Sequence, residues 1–261
     1  IAVDEEGGTV NRVSTNPNLR SVPFWASQDL YAEGGFELIA SDTEEKCNLL
    51  ESVGINLNLA PVCDISTNPL DYIYPRTFGQ DADLTSQYVE TVVSMMNAKK
   101  MGSTLKHFPG YGSNSDTHTG ISIDPRSYDQ LAANDFLPFQ AGINAGATSV
   151  LVSHNVIQSI EDNVPASLSP KVHEVLREAL NFQGIIMTDD LYMDAISEYS
   201  GSSDPAVLAV AAGNDLICTT DFTTQIPAVI EAVENGNLTE SQIDAAVLRI
   251  LDAKLALDII E

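Results

Sequence analysis

Residues 184–193 read GIIMTDDLYM, an apolar run that passes without a break into two acids, Asp189 and Asp190. Bare apolar runs of this kind suit strands covered on both faces, as in parallel sheets. Carboxylates at the end of such a strand are costly unless they are paired, hydrogen-bonded or used. Asp189 therefore reads as a candidate nucleophile, and Asp190 as a group that orients neighbours or caps the next turn. The plain structural alternative is that both acids cap a loop.

The same pattern recurs outward along the chain. Strands are predicted at 1–3, 55–59, 103–105, 149–152, 185–187 and 215–218. Polar clusters follow four of them directly: Asp4-Glu5-Glu6-Gly7-Gly8, Lys106-His107-Phe108-Pro109-Gly110, Ser153-His154-Asn155 and Thr188-Asp189-Asp190. Helices are predicted between the strands at 43–53, 84–100, 135–144, 170–180, 205–212, 225–234 and 240–257. Their start signals include Asp42 with Glu45 as a capping box, Ser169 before Pro170, and a Thr239 cap.

Repeated β/α units with short connections imply a parallel sheet. With 261 residues, a barrel fits better than an open sheet. The expected fold is α/β, a TIM-like (β/α)8 barrel lacking its first element or elements in this sequence, because six strands are visible. One domain covering 1–261 is expected, and Ile1, already inside a strand, implies that residues precede it. In a parallel barrel all strand exits share one face, where active sites form.

Composition limits the partners. Twelve basic residues against 37 acidic ones give a net charge of −25, which argues against nucleic acid and anionic lipid. No stretch approaches the roughly 20 apolar residues needed to span a bilayer. Cys47, Cys63 and Cys218 are scattered, without C-x-x-C spacing, and read as buried free thiols rather than a metal or disulfide framework.

Three further segments carry chemistry. Residues 106–118 read KHFPGYGSNSDTH, a Gly- and Pro-containing loop ending in Asp116-Thr117-His118. A carboxylate two residues from an imidazole can orient it and stabilise its charged form, which suits a proton shuttle. Taken alone, a D-x-H is commonplace in polar loops. Residues 4–12 read DEEGGTVNR, where Asp4 can accept from sugar hydroxyls and Arg12 can donate to them or pair with an acid. Arg76, in YPRTF at 74–78, stands out in a chain this poor in base, and an ion pair with the surplus acid is its simplest reading. His154 can line a pocket, and His173 lies within a helix.

Together these segments resemble glycoside hydrolase family 3, and within it the β-N-acetylglucosaminidases. The motifs are D-E-E-G-G-x-V-x-R, K-H-F-P-G-x-G followed by D-[ST]-H, and T-D-D-L-x-M, in family order along nearly the whole chain. The resemblance implies a TIM-like barrel with Asp189 as nucleophile and His118, backed by Asp116, as acid/base. It puts sugar-binding positions on Asp4, Arg12, Arg76, Lys106 and His107, and implies no metal or organic cofactor. Tyr111 stands where His is common, and the Gly112–Asp116 spacer is one residue shorter than in many members.

The expected partner is a carbohydrate, an N-acetylglucosamine-containing glycan or muropeptide, taken by a monomer with no nucleic-acid or membrane-spanning role. Peptidoglycan fragments and chitin oligosaccharides both fit. The compartment stays open between cytoplasm and bacterial envelope or secretion. A phosphorylase of the same family, a β-glucosidase and a non-catalytic sugar-binding barrel are the alternatives. A metal-dependent hydrolase fits less well, because no helix carries H-E-x-x-H.

Overall fold

The computed structural model describes residues 1–114, 120–201 and 204–261, without the side chains of Ser197 and Glu198. Its main sheet runs β1 (Ala2–Val3), β2 (Leu57–Asn58), β3 (Gly102–Phe108), β5 (Ser149–Val152) and β7 (Ile185–Thr188), in that order and all parallel. A parallel bridge from Met187 to Leu216 adds a sixth position. All six predicted strands are therefore neighbours in chain order, the arrangement of a TIM-like barrel wall. A separate parallel pair, β4 (Ile123–Asp124) and β6 (Val156–Ile157), lies beyond the exits of β3 and β5.

Helices return the chain between strands. They are α1 (Ser27–Ser52), α2 (Ala82–Ala98), α3 (Tyr128–Ala133), α4 (Phe136–Asn144), α5 (Pro170–Glu174), α6 (Asp194–Ser200), α7 (Pro205–Ala212), α8 (Phe222–Glu234) and α9 (Glu240–Ala256). The Gly213 stop of α7 and the Thr239 cap of α9 stand where the sequence puts them, and the structure adds an Asp204 cap. Asp204 caps α7 ahead of Pro205, Gly213 closes it in the left-handed conformation, and Thr239 with Gln242 forms a capping box for α9. No described helix is long and apolar enough to cross a membrane.

The predicted start of the first helix needs correction. It begins at Ser27, bends at Gly35 (φ 61°), and carries Asp42 in its interior. An interior N–H is already taken by the carbonyl one turn back, so Asp42 has nothing to cap. It pairs instead with Lys46 one turn on, at 2.6 Å. The short helices α3 and α6 were not foreseen, having too few turns to show a period.

Period-two alternation sorts the strand side chains. Leu105, Val150, Val152 and Ile186 join Val89, Val93, Met96, Phe139 and Leu176 in the core between sheet and helices. α4 approaches so closely that a Cβ on Gly142 would sit 2.5 Å from Leu105. Thr104 and Lys106 lie on the other face, where the hydroxyls of Thr104 and Ser149 meet at 2.7 Å. That face leads to the C-terminal ends of the strands.

Candidate active site

The β1 exit divides its acids between two jobs. Glu5 is buried, and its carboxylate accepts the backbone N–H groups of Arg12, Val13 and Ser14 at 2.7–3.1 Å. Asn58 of β2 exchanges two hydrogen bonds of 3.0 Å with the Glu5 backbone. Glu5 thus folds the 5–14 loop back on itself, while Asp4 and Glu6 turn to the barrel mouth.

There they meet Lys106. Its Nζ lies 2.6 Å from Asp4 Oδ1 and 2.5 Å from Glu6 Oε1, and the lysine side chain is only 2% exposed. Arg76 grips Glu6 with two bonds, Nη2 to Oε1 at 2.7 Å and Nε to Oε2 at 3.1 Å. Burial alone would raise the Glu6 pKa, but Lys106 and Arg76 outweigh it and hold it at about 2. Burial likewise opposes the Lys106 charge, and Glu6 and Asp4 reverse that, so its pKa is raised. An ammonium has three donors, and among the described residues the two carboxylates take two of them.

Arg76 Nη2 also lies 3.1 Å from His107 Nε2, and His107 Nδ1 lies 2.7 Å from Asp64 Oδ2. Asp64 is buried and further accepts the N–H groups of His107 and Tyr111. It is a positioning residue for the His107 ring and for the start of the loop beyond it.

Asp189 follows β7. Its N–H donates to the Val152 carbonyl at 3.2 Å, and its Oδ1 accepts the Asp190 N–H at 2.9 Å. Burial pushes its carboxyl pKa up. Electrostatic interaction with His154 and His107, the Asp190 N–H and Lys106 together overcome this, leaving the pKa below the usual carboxylate value. His154 is fixed behind the acid pair, with Nε2 3.0 Å from the Asp190 carbonyl and Nδ1 2.7 Å from Ser167 Oγ. A carbonyl only accepts, so Nε2 carries the proton there. Asp190 caps the following turn by accepting the Tyr192 N–H at 3.0 Å.

Asp4, Lys106, Arg76 and His107 are thus brought into one network, and electrostatics link two of its members to Asp189. Arg12 is not part of it: its side chain is exposed and donates to the Asn11 carbonyl at 3.4 Å. Asp116 and His118 lie outside the described residues. The root of their loop is held by Arg126, which donates to the Gly110 carbonyl at 3.2 Å and pairs with Asp124 and Asp135 at 2.6 and 2.8 Å. Glu6 and Asp64 escaped the sequence reading as site residues. The signal for Asp64 was the one that flagged Asp189, an acid shortly after an apolar strand.

Among the described residues, no group of three or more His, Cys, Asp or Glu is arranged to hold a metal ion. Two open clefts, each of about 420 Å³, lie at the opposite end of the barrel around Arg177, Asp215 and Arg249 and around Lys100 and Arg249. They lack the convergence of strand exits that marks the face described above.

Residues 1–253 match the glycosyl hydrolase family 3 N terminal domain. A beta-hexosaminidase of Stenotrophomonas maltophilia (strain R551-3) is 33% identical over 262 residues, covering 96% of this chain and 74% of that protein. The fold superposes on a family 3 beta-N-acetylglucosaminidase from Paenibacillus sp. str. FPU-7 with a TM-score of 0.91 and 31% identity. That match covers 99% of this chain and 50% of the other, so this chain spans about half of that enzyme. A beta-N-acetylhexosaminidase from Beutenbergia cavernae gives a TM-score of 0.85 at 29% identity, covering 97% and 77% of the two chains.

Proposed function

The chain belongs to glycosyl hydrolase family 3, a family of glycosidases, and on that premise we propose that it releases terminal β-linked N-acetylhexosamine with retention of configuration. Asp189 attacks the anomeric carbon, forming a carboxylate ester as the glycosidic C–O bond breaks. His118, oriented by Asp116, gives its proton to the leaving oxygen. It then takes a proton from water, which attacks the same carbon and frees Asp189. Asp4, Lys106, Arg76 and His107 hold the hydroxyls of the terminal sugar.

One feature supports this reading above the others. A carboxylate held ionised at the end of β7 shares the barrel mouth with a fixed network of two carboxylates, a lysine, an arginine and a histidine. Ionisation is what a nucleophile needs, and mixed donors and acceptors are what vicinal hydroxyls need.

The test is turnover of 4-nitrophenyl N-acetyl-β-D-glucosaminide by the wild type and by Asp189→Ala. The variant should lose turnover by about three orders of magnitude or more, the scale seen when a nucleophile is removed. Added azide should restore cleavage of the variant and yield the inverted glycosyl azide, since the anion enters the vacated space. Full activity in Asp189→Ala, or an inverted sugar product from the wild type, sinks the assignment. Sugar 1-phosphate formed on adding phosphate would instead make the chain a phosphorylase.

A further inference from the structure

Tyr72 lies in the segment between β2 and α2, and three rings run outward from the sugar-binding network through it. His107 forms the inner end. The Tyr111 ring stands edge-on to it with centroids 5.5 Å apart, and the Tyr72 ring follows at 6.0 Å from Tyr111. His107 and Tyr111 are 4% and 3% exposed, while Tyr72 is 41% exposed. The wall therefore starts in the buried floor and ends at solvent.

Single exposed aromatics are ordinary on protein surfaces. Tyr192, 69% exposed beside the nucleophile strand, is of that kind. Tyr72 differs in two respects: it ends a row of ring contacts that starts at His107, and its segment is tied down by hydrogen bonds. Asp71 accepts from Ser66 Oγ at 2.7 Å and from the Asn68 amide at 2.8 Å. Thr77 Oγ1 bonds the Ser66 and Tyr74 carbonyls, and Gln28 donates to the Tyr74 and Thr77 carbonyls. A ring presented from a braced loop loses little freedom when a ligand covers it. The flat C–H face of a pyranose is a ligand such a ring can hold.

We infer that Tyr72, backed by Tyr111, is the platform of a second sugar subsite, so that the preferred substrate carries a pyranose on the leaving side. The inference rests on the glycosidase reading, in which Asp4, Lys106, Arg76 and His107 take the terminal sugar. Steady-state kinetics on N,N′-diacetylchitobiose and on N-acetyl-β-D-glucosaminyl fluoride separate the two sites, because the fluoride has no leaving-side ring. Tyr72→Ala and the bulk-conserving Tyr72→Leu should each lower kcat/KM for the disaccharide by about five- to tenfold, the scale of one stacking contact. Both should leave the fluoride unchanged, and Tyr72→Phe should behave as the wild type. An equal fall on both substrates, or no change on either, overturns the subsite. A wild type inactive on both overturns the glycosidase reading itself, and the subsite with it.

Discussion

His107 Nδ1 lies 2.7 Å from Asp64 Oδ2, a contact between residues 43 positions apart. It decides the tautomer of the ring. Arg76 can only donate, so the His107 Nε2 that faces it at 3.1 Å must be the acceptor, and the proton sits on Nδ1 toward Asp64. An anion on one side and a cation on the other hold the ring in one orientation.

Asp64→Asn should therefore disturb His107 without emptying the site. The amide can turn a donor toward Nδ1–H, and the ring loses its acceptor. We expect kcat/KM on an aryl N-acetyl-β-glucosaminide to fall roughly tenfold to a hundredfold, the worth of one charge-assisted hydrogen bond. Unchanged kinetics would mean that His107 does not touch the substrate.

Glu6→Gln should reveal the cost of two cations without their shared anion. Breaking a buried pair in this way costs about 3–5 kcal/mol, measurable by urea denaturation. The native Glu6 pKa of about 2 lies below its ordinary 4.5, so its contribution is present above pH 4.5 and is lost as pH falls toward 2. That shift corresponds to about 3 kcal/mol. The acid-side loss should be smaller in Glu6→Gln than in the wild type. The comparison must be between the two proteins, because acid also relieves the repulsion of a chain with net charge −25.

His118→Ala should be diagnosed by leaving group. A proton donor matters most when the departing oxygen is basic. The variant should lose far more activity on an alkyl or sugar aglycone than on 2,4-dinitrophenol, and Asp116→Asn should show the same trend more weakly. Equal losses on both aglycones would assign the proton transfer to another residue.

Arg126→Met should strip the cation from two buried carboxylates, Asp124 and Asp135, at about 3–5 kcal/mol. Burial already holds the Asp135 pKa above its ordinary value despite Arg126. A carboxyl with a raised native pKa stabilises the fold when protonated, and that contribution is lost as pH rises through it. Melting temperatures of the variant should therefore fall more steeply than those of the wild type between pH 4 and 7.

Much of the wall was legible from sequence. The six strand positions follow from apolar runs of strand length, α7 from its Gly213 stop and α9 from its Thr239 cap. Local chemistry is enough for these, because the interacting groups are neighbours in the chain. Asp42 shows where local reading fails, since a cap and a mid-helix ion-pair partner have the same residue type and similar flanks.

The roles of the acids at the strand exits were decided only by tertiary structure. Glu5 and Glu6 are adjacent and chemically alike, yet one braces a loop and the other binds Lys106 and Arg76. Arg12 and Arg76 both looked able to bind sugar, yet Arg76 meets Glu6 and His107, whereas the exposed Arg12 side chain meets the Asn11 carbonyl. The sequence by itself determined the repeated strand-to-acid pattern, the family motifs and the face on which they would meet. Lys106 and Asp4 are 102 residues apart, and Arg76 and Glu6 are 70 apart. Such pairings depend on strand register and on the direction each side chain leaves its backbone, which exist only once the sheet has formed.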